Sequence, residues 1–140
     1  MPRRSKAEEL LDFEIDFCEK LIRAYPDFVD ALIPLGHAYT RRGLYQKGLQ
    51  IDLRLVQLRH HDPLLWYNLG CSYSLLNQLD DALEALQRAA ALGYRDLDYL
   101  QKDPDLINVR RLPKFRQLLE SLLTLAGSSA KSPSHPPSPS

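Results

Sequence analysis

The strongest constraint in this chain is an internal repeat. Leu35, Gly36 and Tyr39 recur as Leu69, Gly70 and Tyr73, and Leu49, Arg54 and Leu58 recur as Leu83, Arg88 and Leu92, all at one offset of 34 residues. At the same offset Gly43 falls on Asn77, two residue types suited to a turn with positive φ. One offset that aligns apolar positions and turns together marks a supersecondary unit used twice. A single copy cannot cover its own apolar face, so copies must stack on neighbours.

The period within each copy is helical. Apolar residues at Leu11, Ile15, Cys18, Ile22 and Tyr25 advance by four and three, one face of a helix from about Ser5 to Ala24. Ser5 and Glu8 have capping-box spacing, and Pro26 ends the run. Further helices are expected from Phe28 to Arg42 with Asp27 as cap, Leu44 to Arg59, Leu64 to Leu76 with Asp62 as cap, and from Asp80 to the stop at Gly93. Shorter pieces follow: a turn capped by Asp96 through Leu100, another short helix starting at Asp103-Pro104, and a last helix from Pro113 to Leu125. No stretch alternates with a period of two, so the fold class is all-α.

The second copy reads Trp66-Tyr67-Asn68-Leu69-Gly70-Cys71-Ser72-Tyr73, with Ala82, Leu86 and Ala89 on its second helix. It resembles the tetratricopeptide repeat, whose first helix carries W-x₂-L-G-x₂-Y. The first copy places Leu32, Leu35, Gly36 and Tyr39 in those positions. The resemblance implies an antiparallel helix-turn-helix solenoid. Its organisation would be a disordered start (1–4), a capping helix (5–25), repeat 1 (29–62), repeat 2 (63–96), a degenerate helical cap (97–126) and a disordered Ser/Pro-rich tail (127–140). The run Asp103-Pro104-Asp105-Leu106 followed by Pro113-x-Phe115 looks like a closing segment found after such repeats. Three positions depart from the pattern. Gly48 replaces a small Ala, Pro34 should kink its helix, and Asp52 stands where a bulky apolar residue is usual. An unpaired buried carboxylate is costly, so either a local rotation turns Ile51 and Leu55 inward or Asp52 pairs with an Arg; rotation that leaves Asp52 partly exposed is expected.

The resemblance also implies a function. Such arrays hold a peptide or a partner's helix on a concave surface lined by their first helices. Here that surface would show Ile33, His37 and Arg41 from repeat 1, with Asp30 and Thr40, and Leu64, Tyr67, Asn68, Cys71 and Ser74 from repeat 2. The clamp by which some members grip a chaperone's C-terminal carboxylate is not implied. Its positions fall on Ile33, His37, Asn68, Asp98 and Lys102, of which only Asn68 matches outright. The expectation is a non-catalytic adaptor, scaffold or small chaperone for a protein or peptide partner. A self-associating structural unit, pairing through repeat ends, is the second reading.

Other classes find little support. Lys plus Arg and Asp plus Glu are 18 each, so the chain lacks the basic footprint of a nucleic-acid binder. No apolar run approaches a membrane span, and the basic start lacks an apolar signal core. With only Cys18 and Cys71 the chain has no disulfide framework, so reduced thiols and a cytoplasmic location are expected. His60-His61-Asp62 is a poor metal site, because adjacent side chains diverge. His37 and Cys71 hold equivalent places in successive repeats, but no orienting group or oxyanion donor completes a catalytic set. No catalytic residue, metal or cofactor is implied. Ser132-Pro133 and Ser138-Pro139 read as parts of a spacer.

Overall fold

The computed structural model describes residues 3–128. These form helices α1 (Lys6–Ala24), α2 (Val29–Arg41), α3 (Tyr45–Leu58), α4 (Pro63–Leu75), α5 (Leu79–Ala91), α6 (Leu97–Lys102), a 3₁₀ turn (Pro104–Leu106), α7 (Ile107–Arg110) and α8 (Pro113–Ser128). There is no strand among the described residues, in keeping with the all-α helical-repeat architecture. None of the helices is long and apolar enough to cross a membrane. The chain divides into two compact units, before and after the His60–His61 bond.

In the first unit α1 starts with the predicted capping box: the Ser5 hydroxyl accepts from the Glu8 N–H, and the Glu8 carboxylate reaches back to the Ser5 N–H. Ile15 and Cys18 of α1 pack against Leu35, Ala38 and Tyr39 of α2. Charge closes the edge of this contact. Arg42 donates to Asp12 at 2.8 Å and to Glu8 at 2.7 Å, and Arg4 also binds Asp12. Arg4 is thus tied to the domain, although residues 1–4 were expected to lie outside it. α2 and α3 run antiparallel: a Cβ on Gly36 would lie 3.2 Å from Ile51 and Asp52, and one on Gly48 would lie 2.9 Å from the Thr40 hydroxyl.

Two local expectations are corrected in this unit. Phe28, not Asp27, is the N-cap of α2 and makes no side-chain cap; Asp27 instead pairs with Arg54. Asp52 is buried at 6% exposure rather than partly exposed, its carboxylate packed against Gly36. Helix α2 continues through Pro34 as one element. Proline has no N–H to donate to the Asp30 carbonyl, so the cost is one helical hydrogen bond near the first turn.

In the second unit Asp62 caps α4 by accepting from the Leu64 N–H at 2.9 Å, with Pro63 in the first turn. Asn77 at φ 60° turns the chain into α5, as Gly43 at φ 84° does after α2. A Cβ on Gly70 would lie 2.9 Å from the Leu86 side chain and 3.3 Å from the Ala82 carbonyl, while Ala82 and Ala89 are 0% and 1% exposed. These small residues are what let α4 and α5 approach. The segment after Gly93 completes the core with Leu100, Leu106, Val109, Phe115 and Leu122, each at most 3% exposed. α8 extends through Ser128 and so includes the first two residues of the expected tail. The rest of the tail, like residues 1–2, lies outside the described residues.

The close α4–α5 contact predicts that Gly70→Ala destabilises the second unit by about 1–3 kcal/mol, measured by urea unfolding. The Arg42–Asp12 pair predicts a pH signature. Hydrogen bonds from Arg42 and then Arg4 hold the Asp12 carboxyl below the usual aspartate range. A group whose folded pKa is depressed lends stability above its unfolded pKa and loses it as pH falls through the folded value. Asp12→Asn should therefore be less stable than the wild type at neutral pH. The gap should close as the pH drops below the ordinary aspartate value, read by thermal unfolding across a pH series.

Candidate partner-binding surface

The two copies of the predicted surface have different fates. On α2 the spacing of three and four puts Asp30, Ile33, His37 and Arg41 in one row. Asp30, His37 and Arg41 are exposed, and Ile33 is half-buried. Thr40 turns its hydroxyl onto the Gly36 carbonyl at 3.0 Å. On α4 the matching row is largely covered. Leu64 is 41% exposed and Asn68 half-buried, but Tyr67, Cys71 and Ser74 are buried at 4%, 7% and 0%. Those three are corrected from surface residues to interior ones.

What covers them is the unit's own closing segment. Tyr67 donates its hydroxyl to Asp103 Oδ2 at 2.6 Å, and the Cys71 thiol lies 3.5 Å from the same oxygen. Asp103 Oδ1 accepts from the Asp105 N–H at 2.9 Å, capping the 3₁₀ turn. The Ser74 hydroxyl accepts from the Val109 N–H at 3.3 Å, and Asn108 donates to the Ser74 carbonyl at 3.1 Å. Arg110 then ties the segment to itself, donating to the carbonyls of Leu100 and Asp103 at 3.2 and 2.7 Å. Each polar group on the covered face of α4 is thus answered from residues 97–112, as buried polar atoms require.

An aromatic layer backs this hub. Tyr94 stacks on Tyr67 with ring centroids 4.4 Å apart and planes 8° from parallel, and Tyr99 lies tilted at 6.3 Å. Burial first, then Cys71 and the hydrogen bond to Asp103, push the Tyr67 phenol far above its usual range, so it stays a donor at any ordinary pH. Burial and the neighbouring Asp103 raise the Asp105 carboxyl. Cys71, Asp103 and Asp105 have ligand-type atoms within 4.8 Å of one another. Asp103 is already engaged there by Tyr67, Cys71 and the Asp105 backbone, so hydrogen bonding accounts for the grouping.

Sequence reasoning placed Asp103 in a closing segment but did not link it to Tyr67. The signal was present in the residue types. A phenol, a thiol and a hydroxyl at i, i+4 and i+7 on α4 form a row of donors and acceptors; the Asp103 carboxylate meets the first two and the Val109 N–H the third. Loss of the hub has a predicted cost. Tyr67→Phe leaves Asp103 short of a donor and should destabilise the second unit by about 1–3 kcal/mol. Tyr67→Ala also opens a cavity, for about 3–5 kcal/mol. Both are measured by chemical denaturation, with helicity as the readout.

Comparison with known proteins agrees with the pairing of α4 and α5. Residues 63–96, which span α4 and α5, match the tetratricopeptide repeat family. The chain is 43% identical over 91 residues to a chloroplastic protein of Arabidopsis thaliana, an alignment covering 61% of this chain and 26% of that protein. It is 29% identical over 75 residues to a TPR repeat-containing protein of Methanocaldococcus jannaschii, covering 54% of this chain and 12% of that protein. The chain therefore spans about a quarter or less of the length of these relatives. The 34-residue period, the paired helices and the matched model agree that residues 63–96 form a tetratricopeptide repeat.

Proposed function

We propose that this protein is a non-catalytic binding module, an adaptor or scaffold that takes a peptide or a partner's helix on the exposed row of α2. Tetratricopeptide repeats generally mediate protein–protein interaction, and the family is typically non-catalytic. The observation that supports the site is the contrast between the two copies. The α4 row is filled by residues 97–112, whereas Asp30, His37 and Arg41 on α2 remain exposed beside the half-buried Ile33. That row offers one carboxylate, one imidazole, one guanidinium and a strip of Ile33 and Pro34 surface. An amphipathic helix with an acidic residue for Arg41 and an apolar anchor for Ile33 fits such a row. On α4, Leu64 and Asn68 are what is left for a partner. Two buried cysteines, Cys18 and Cys71, neither in a disulfide, fit a reducing compartment, and we place the protein in the cytoplasm on that basis. The Arabidopsis relative is described as chloroplastic, a compartment named for that protein.

The test is site-specific photocrosslinking in the full chain. A photoreactive residue at position 37 or 41 should capture a discrete partner. The same residue at Glu84, exposed on α5, should not. Arg41→Glu should weaken capture about tenfold, the scale of a lost charge-assisted contact, with helicity unchanged. Equal capture from all three positions would remove the α2 row as the site.

A further inference from the structure

Helix α1 has two apolar faces, and α2 covers one of them. Ile15 and Cys18 are buried against α2. Leu10, Phe13 and Phe17 stand on a different side, spaced by three and four so that they form one ridge, and they are 67%, 72% and 56% exposed. Leu21, one turn further, is half-buried. A helix apolar on more than one side is normally covered on each. Two largely exposed phenylalanines one turn apart are a concentrated patch, whereas single exposed apolar residues are ordinary.

The charges beside the ridge indicate what covers it. Along one flank the order is Glu9, Asp16, Lys20, Arg23, acidic toward the N-terminus and basic toward the C-terminus. Asp16 and Lys20 are paired with each other at 2.9 Å. Glu9 and Arg23 are both exposed. A second α1 laid antiparallel across the ridge places Phe13 against the partner's Phe17 and Leu10 against the stem of the partner's Lys20. The same register brings Glu9 opposite the partner's Arg23 at both ends of the contact. A parallel arrangement sets Glu9 against Glu9 and Arg23 against Arg23. The antiparallel arrangement also opposes the two helix dipoles.

We propose that the protein self-associates as a two-fold antiparallel dimer through the Leu10–Phe13–Phe17 ridge of α1, with Glu9–Arg23 pairs fixing the direction. The proposal is independent of the α2 binding row, which lies on another helix. One helix on one helix buries on the order of 1,000 Å² in total, the lower end of specific interfaces. The association is therefore weak, with a Kd on the order of 10–100 μM.

Sedimentation velocity on the full 140-residue chain over a concentration series tests it. The expected result is a reversible monomer–dimer equilibrium. Phe13→Ser with Phe17→Ser should abolish it with unchanged helicity, since both side chains are mostly exposed in the monomer. Glu9→Arg should weaken the dimer at least fivefold, and adding Arg23→Glu to that variant should restore it. That restoration separates a directed pairing from general stickiness. A protein monomeric throughout the series overturns the proposal, as does a dimer indifferent to the two serines or one that the double charge swap fails to restore. A monomer that binds anionic phospholipid vesicles through Phe13 and Phe17 would overturn it in favour of a membrane surface.

Discussion

A carboxylate removed from water must be met by donors, and Asp103 is met on both oxygens. Much of the second unit is arranged around that requirement. Tyr67 and Cys71 stand one turn apart on α4 because the hub needs two donors from one helix face. The 3₁₀ turn begins at Pro104 because the Asp103 side chain caps it. Arg110 holds the Asp103 carbonyl and so fixes the direction in which the segment leaves. Around this polar centre lie Leu100, Leu106 and Val109, nearly inaccessible to solvent. The apolar core supplies most of the free energy of burial. The hub dictates which apolar residues meet, because an unmatched buried polar group costs more than one mispacked methyl group.

The first unit solves a similar problem with exposed charge. Arg42 bridges Glu8 and Asp12 at a partly solvated edge. Such pairs contribute little each and are sensitive to salt and pH. Each unit also has a buried tyrosine bonded to a carboxylate: Tyr39 donates to Glu19 of α1, and Tyr67 on α4 donates to Asp103.

Much of this was legible in the sequence because it is local. The capping box at Ser5, the Asp62-Pro63 start, the positive-φ turns at Gly43 and Asn77 and the small-residue contact at Gly70 each need only neighbouring residues or the 34-residue offset. What was missed depends on long-range partners. Tyr67 has all the marks of a groove residue until Asp103 arrives from 36 positions away. Asp52 was expected to be partly exposed, because an unpaired buried carboxylate is costly; it is buried beside Gly36 instead. Asp27 was expected to cap α2 on residue type alone, and Arg54 from α3 competes for it. Helical pattern fixes which face is apolar and is silent on which chain segment will cover it.

The closing segment also turns one copy of the repeat inside out. The row of α4 that matches the exposed row of α2 is occupied by residues 97–112, hydrogen-bonded at Ser74, Tyr67 and Cys71. Freeing that row for a partner would first require expelling Leu100, Leu106 and Val109 into water. The segment thus acts as a ligand that the chain carries for its own second repeat, and a variant meant to bind on α4 would have to lose Asp103 before it could gain a partner.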